Sequence, residues 1–224
     1  MDVEIWSDIN CPWCYLGKRR LEAALAGFEH ASDVSVTWRS FELDPATPAE
    51  VPGNGAAMLS EKYGMPLERA REMEQHLTEL AAADGLRYDL EHARIGSSFD
   101  AHRLVHLAKR EGLQDAMQER LFSARFTEGR LISDPETLVQ LAKDVGLDEQ
   151  EVRATLATDA FAGDVREDEV TAQKLGIRGV PMFVVDRAFG LSGAQPPEQV
   201  QALLRHAWES AHGADQPGSD AASG

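Results

Sequence analysis

Cysteine is scarce in this 224-residue chain: Cys11 and Cys14 are the only two. That excludes a disulfide framework, which needs several spaced pairs. It also excludes an all-thiolate zinc site, which needs four sulfurs. Positive charge is short as well, with 22 Lys and Arg against 38 Asp and Glu and a formal net charge of -16. A general nucleic-acid binder needs a basic footprint, and so does docking on anionic lipid; neither partner is expected. No apolar run reaches the length of a membrane span. The start, Met1-Asp2-Val3-Glu4, has no basic segment followed by an apolar core, so no secretory signal is visible. The expected location is the cytoplasm, where a Cys pair serves catalysis or redox sensing rather than as a permanent staple. What the chain does have is 43% hydrophobic residues, enough for a real core. Its length suits one large domain or one domain with a substantial insertion.

The two cysteines stand together as Cys11-Pro12-Trp13-Cys14, between a strand-like run at Val3 to Trp6 and a helix-like run from Pro12 to Phe28. A thiolate, not a thiol, attacks a disulfide. The first turn of a helix has free N–H groups and partial positive charge, both of which favour an anion. Cys11 at the N-cap would accept N–H bonds from Trp13 or Cys14 on its sulfur. Pro12 suits the first helical position, where its missing N–H costs nothing. Cys14 lies one turn along and can resolve a mixed disulfide. The expected roles are Cys11 as exposed nucleophile and Cys14 as the more buried resolving thiol. A structural disulfide would close a loop too short to constrain the unfolded chain much. A zinc site would need two more ligands; His102 and His106 share a helix face, but nothing in the sequence places them near Cys11. No metal is expected.

Three blocks follow one another. The first, to about Asp44, reads strand, helix, strand, the last at Val34 to Phe41 with Val34, Val36 and Trp38 alternating. Phe41 and Leu43 shift the phase, which marks a bulge or the strand's end. A strand–helix–strand unit implies a parallel crossover. The second block, 45–159, predicts helices over Ala56 to Tyr63, Leu67 to Ala83, Ser98 to Arg110, Leu113 to Thr127, Pro135 to Val145 and Glu149 to Ala157, with no strand. The third, 160–212, predicts a helix to Leu175, a strand at Met182 to Val185, a hairpin partner at Phe189 to Leu191, and an amphipathic helix carrying Val200, Leu203, Leu204, Ala207 and Trp208. Residues 213–224 read as a disordered tail. The expectation is a split α/β domain, 1–44 and 160–212, interrupted by an all-helical insertion, 45–159.

Ser7-Asp8-Ile9-Asn10-Cys11-Pro12-Trp13-Cys14-Tyr15-Leu16-Gly17 and Gly176-Ile177-Arg178-Gly179-Val180-Pro181-Met182-Phe183 resemble the DsbA-like thioredoxin-fold family, in its FrnE-like oxidoreductase branch. Ser98-Phe99-Asp100-Ala101-His102-Arg103 is similar to that branch too. The resemblance runs from Val3 to about Trp208. It implies a thioredoxin-like fold with a helical insertion and thiol–disulfide exchange, including isomerisation, on cysteine-containing protein or peptide substrates. No cofactor is implied beyond the redox-active Cys11–Cys14 pair, with glutathione or thioredoxin as external reductant. It implies a cis Val180-Pro181 peptide facing the cysteines, with Val180 and Pro181 binding substrate; the alternative is a trans Pro opening an edge strand. The helical block would roof the same face and leave a groove for an extended peptide paired through its backbone.

The chain departs from the best-known members in two places. Trp13 stands where DsbA carries His between its cysteines. The position six before the first Cys, often acidic, is Ile5, with Glu4 and Asp8 nearby. Pro12, Trp13 and Asp8 are therefore expected to tune the dithiol; whether Glu4 or Asp8 acts as proton acceptor for Cys14 stays open in the sequence. A glutathione-dependent kappa-class transferase or a hydroxychromene-carboxylate-type isomerase is the alternative enzyme; those relatives place Ser where Cys11 stands. A non-catalytic binding module would leave the spacing of the cysteines unexplained. The sequence leaves a homodimer open.

Overall fold

β1 (Asp2–Ser7) runs through the middle of a four-stranded sheet, joined by β2 (Ser35–Ser40), β3 (Met182–Val185) and β4 (Phe189–Ser192) in the order β2-β1-β3-β4. The computed structural model describes residues 1–212; the tail expected at 213–224 lies outside them. β2 is parallel to β1, with Val3 opposite Val36, and the crossover between them is α1 (Pro12–Ala26). β3 is antiparallel to β1, with Ile5 opposite Phe183, and forms the expected hairpin with β4. The strand after Pro181 is thus an inner strand, which removes the edge-strand alternative.

Side chains alternate across β1, as a strand requires. Val3 and Ile5 join the main core with Leu16 and Leu21 of α1 and with Val200 and Leu204 of α9 (Pro197–His212). Trp6 points the other way, to Ala172 of α8 (Ala162–Lys174), Ile177 and Val184. Its ring N–H donates to the Asp168 carbonyl at 2.9 Å. The sheet is therefore covered on both faces, the arrangement that two apolar faces demand.

Between β2 and α8 the chain forms α2 (Gly55–Tyr63), α3 (Leu67–Ala83), α4 (Phe99–Arg110), α5 (Gln114–Phe126), α6 (Pro135–Asp144) and α7 (Glu149–Leu156). This is a thioredoxin-like fold interrupted by helices. Asn54, Asp134 and Asp148 start α2, α6 and α7 by accepting an N–H from three residues on, the usual N-cap bond, worth about 1 kcal/mol. One isolated bridge, Val51 with Ile95, breaks the all-helical expectation. It exists because the loop before α2 crosses the loop before α4, where the Val51 N–H donates to the Ile95 carbonyl at 2.8 Å.

α5 carries the helical block onto the sheet. Gln114 accepts from the Trp38 N–H at 3.1 Å and donates to the Trp38 carbonyl at 2.9 Å. The Trp38 indole donates to Asp115 at 2.9 Å. Buried Lys18 of α1 lies among Glu22, Asp115 at 3.1 Å and Glu119 at 3.2 Å. Tyr15 donates to Glu119 at 2.7 Å and stacks on Phe122 at 5.1 Å. The C-terminal turn of α5 is thereby held over the start of α1.

Candidate active site

Cys11 is the N-cap of α1 and Pro12 its first helical residue. The Cys11 N–H donates to the Asp8 carbonyl at 3.0 Å, and the Cys11 carbonyl accepts from the Cys14 N–H at 3.0 Å. The sulfur departs from expectation: it accepts no N–H bond from the helix. Both cysteines are free thiols, and a thiol is a weak donor. Cys11 Sγ instead faces the Val180 carbonyl at 3.6 Å. The Val180-Pro181 peptide is cis. Gly17 permits this closeness, since a Cβ there would stand 2.9 Å from Pro181 Cγ and 3.3 Å from Phe183 Cζ.

Exposure needs a second correction. Cys11 is 5% exposed and Cys14 0%, so Cys11 is not a surface thiol. The Val180 loop and the helical block cover the turn, and Cys11 is reached through a cavity of about 510 Å³ that Cys14 does not line. Burial pushes the Cys14 thiol well above the ordinary range, and the neighbouring Cys11 adds to the effect; Ser7 and the Asp8 backbone oppose it. The two sulfurs are thus unequal in the expected sense, one facing a cavity and one sealed and protonated.

The residues expected to tune the pair sit close by in different ways. The Pro12 carbonyl accepts from the Tyr88 hydroxyl at 2.6 Å. Trp13, 39% exposed, stands at the cavity mouth. Asp8 is buried; its carboxylate accepts from the Asn10 N–H at 2.9 Å and the Leu43 N–H at 2.8 Å. Burial works to raise its pKa, but His102 and those two N–H groups outweigh it and hold the carboxyl below its usual value. Asp8 braces the Cys11 turn against the segment after β2. That brace also explains the broken alternation: β2 ends at Ser40 because Leu43 turns back to Asp8. Glu4 lies on the opposite face of the sheet, bonded to Arg39 at 2.9 Å and Arg187 at 2.8 Å, which removes it as a proton acceptor for Cys14.

His102 and His106 turn to different acids. His102 Nε2 is 3.7 Å from Asp8, while His106 Nε2 is 3.2 Å from Asp168 and 3.0 Å from Ser40 Oγ. Among the described residues no cluster of His, Cys, Asp or Glu is arranged to hold a metal ion. No helix among them is long and apolar enough to cross a membrane.

Two residues of the site were missing from the sequence reading. Tyr88 packs on Tyr15 at 5.9 Å above the cysteine turn, and Arg125 lines the cavity beside Cys11. Arg125 left one signal: it is i+4 from Leu121 and i+3 from Phe122, so it shares their apolar face. The cavity wall opposite Cys11 comes from α2 and α3, through Met58, Tyr63, Met73 and Leu77. The helical block therefore roofs the cysteines as expected, and the space beneath it is a pocket more than an open groove.

The DSBA-like thioredoxin domain family matches residues 2–205. Among solved structures, the chain is similar to a probable DsbA oxidoreductase from Streptomyces coelicolor, at 46% identity and a TM-score of 0.91, with 100% of both chains covered. It is similar in fold to a 2-hydroxychromene-2-carboxylate isomerase, at 15% identity and a TM-score of 0.71 over 96% of this chain and 100% of that one. It shares the fold of the cytosolic disulfide reductase DsbM from Pseudomonas aeruginosa, at 19% identity and a TM-score of 0.62 over 94% and 100%.

Proposed function

This chain belongs to the DsbA-like thioredoxin domain family, and from that premise we propose that it is a thiol–disulfide oxidoreductase that reduces or isomerises cysteine-containing protein and peptide substrates through Cys11 and Cys14. The observation that carries the reading is the inequality of the two sulfurs: Cys11 faces the cavity against Val180, and Cys14 is sealed one turn behind it. The Cys11 thiolate attacks one sulfur of a substrate disulfide, and the other sulfur leaves as a thiolate with the bonding pair. Cys14 then loses its proton, attacks Cys11 Sγ and expels the reduced substrate. Two electrons pass to the substrate and the Cys11–Cys14 disulfide remains. An external thiol, glutathione or thioredoxin, restores the dithiol. In isomerisation a substrate thiol attacks the mixed disulfide instead, and no net electrons move.

Val180 and Pro181 position the incoming disulfide, because the Val180 carbonyl already lies beside the attacking sulfur. Pro12 and Trp13 shape the turn, and Asp8 fixes its height through Asn10 and Leu43. Exposed Trp13, Leu43, Met58, Tyr63 and Met73 ring the cavity, an apolar rim suited to unfolded polypeptide. The cytoplasm is the location that fits a chain whose only cysteines are a reactive pair. A hydroxychromene-type isomerase is the second reading, favoured by the shared fold and by a pocket of small-molecule size; Cys14 has no task in that chemistry.

Insulin reduction supplied with glutathione, or with thioredoxin and its reductase, tests the reading. Wild-type protein accelerates precipitation of the insulin B chain, and Cys11→Ser abolishes the acceleration. A wild type inert with both reductants overturns the proposal.

A further inference from the structure

Arg125 is a buried charge that the dithiol exchange leaves without a task. It sits in the last turn of α5, 5% exposed, and lines the cavity next to Cys11. Its Nη1 donates to the Arg94 carbonyl, and its Nε is buried with no partner. The guanidinium lies 4.9 Å from the Phe126 ring centroid. Burial pushes its pKa down to about 10, and the nearby Asp8 and Cys11 pull it back up; it remains a cation at neutral pH. Asp8 offsets part of this charge from nearby, but both its oxygens accept backbone N–H groups and it makes no direct ion pair with Arg125 among the described residues. A buried cation without a directly paired carboxylate is costly. An anion arriving in the cavity would complete the pair.

A second observation points the same way. Lys62, exposed on the last turn of α2, lines the same cavity and has no carboxylate partner among the described residues. Glu74 is the one carboxylate on that lining, and burial together with Glu91 pushes it up to about 7. In a chain of net charge -16, the lining over Cys11 carries two cations against one carboxylate, while Asp8, Asp44 and Glu61 line the adjoining space beside Arg125 and Lys62. Apart from Asn10 and His76, the remaining wall is largely apolar, with Leu77, Ile95 and Phe126. The cavity volume of about 510 Å³ falls in the range of roughly 300–1,000 Å³ usual for small-molecule sites.

We propose that this cavity binds a small disulfide with an apolar body and a carboxylate, the carboxylate held by Arg125 with Lys62 at the rim, and presents its S–S bond to Cys11. The inference rests on the dithiol reading and names a second, low-molecular-weight substrate class for the same site. The Cys11 thiolate attacks one sulfur, the S–S bond breaks, and the first small thiolate leaves with the electron pair. Cys14 gives its proton to solvent and attacks Cys11 Sγ, expelling the second small thiolate. The disulfide is reduced by two electrons and the dithiol oxidised by two.

Two aromatic disulfides separate charge recognition from sulfur reactivity: dithiobis(nitrobenzoic acid), which carries carboxylates, and neutral dithiodipyridine. Single-turnover oxidation of the reduced full chain is followed with each. The expected result is that Arg125→Gln slows the carboxylated probe at least about tenfold more than the neutral one, the scale of one lost charge-assisted hydrogen bond. Arg125→Lys restores part of that difference. Lys62→Gln, a surface change that leaves packing untouched, slows the carboxylated probe selectively by about threefold, and it carries the test if Arg125→Gln does not fold. Equal slowing of both probes, or no slowing of either, overturns the assignment while leaving the dithiol reading intact. A wild type that reacts with neither probe overturns the dithiol reading and this site with it.

Discussion

Cys11 and Cys14 share a helical turn yet differ in everything around their sulfurs. Cys11 meets a carbonyl and a cavity, whereas Cys14 meets only protein. Iodoacetamide added to the reduced protein is therefore expected to modify Cys11 several-fold faster than Cys14, read by peptide mass mapping over time; faster labelling of Cys14 would reverse the assignment. Asp168 carries a second residue-level prediction. Burial works to raise its pKa, but the His106 and Ser40 hydrogen bonds and the Arg39 charge bring it below its usual value. A carboxyl lowered by folding stabilises the protein above its unfolded pKa of about 3.9, and that stabilisation fades as the pH falls through the folded value. Asp168→Asn is expected to cost about 3 kcal/mol at neutral pH, and the gap from wild type narrows below about pH 4 in denaturant titrations. A gap that stays constant down to pH 2 would contradict the network. At this scale the sequence showed what is adjacent in the chain, so Cys11, Pro12, Trp13, Cys14 and Asp8 were legible. Tyr88, in the loop after α3, and Arg125, on α5, reach the same spot from far along the chain, and local pattern carries no record of that meeting.

Most elements follow directly from periodicity. The helix at Leu67–Ala83 and the strand at Met182–Val185 fall where the apolar pattern and its glycine stops put them. Departures occur where tertiary contacts override local pattern. β2 stops at Ser40 because Asp8 captures the Leu43 N–H. The Val51–Ile95 bridge joins two loops that lie outside every predicted element. The packing of α1 on the Pro181 loop is the contact on which the site geometry depends most. Gly17→Ala inserts a methyl 2.9 Å from a stiff pyrrolidine carbon, so the loop must move. The expected outcome is a loss of about 1–3 kcal/mol of stability, typical of overpacking, together with slower insulin reduction, as the Val180 carbonyl shifts from Cys11. A variant as stable and as active as wild type would show that the approach is looser than the structure indicates.

For the whole molecule, the order of blocks was readable because a strand–helix–strand start and a helix–strand–hairpin–helix end can bury their faces only in one sheet. The resemblance to DsbA-like proteins placed Pro181 at Cys11 across the gap in sequence, and the Val180 carbonyl stands 3.6 Å from the sulfur. What it could not supply was the closeness of the helical roof. α5 is fixed to α1 and β2 through Lys18, Glu119, Gln114 and Trp38, and α2 and α3 close over Cys11 to make a pocket of the expected groove. The fixing of α5 is polar and spread over three elements, and such pairings leave no periodic trace. The central claim is that one sulfur attacks and the other releases. Trapping of mixed disulfides tests it most directly: each single cysteine variant is expressed in cells, quenched with acid, and run on non-reducing gels. Cys14→Ser is expected to accumulate adducts that collapse on reduction, while Cys11→Ser accumulates none. Equal adducts on the two variants, or adducts on Cys11→Ser alone, would contradict it.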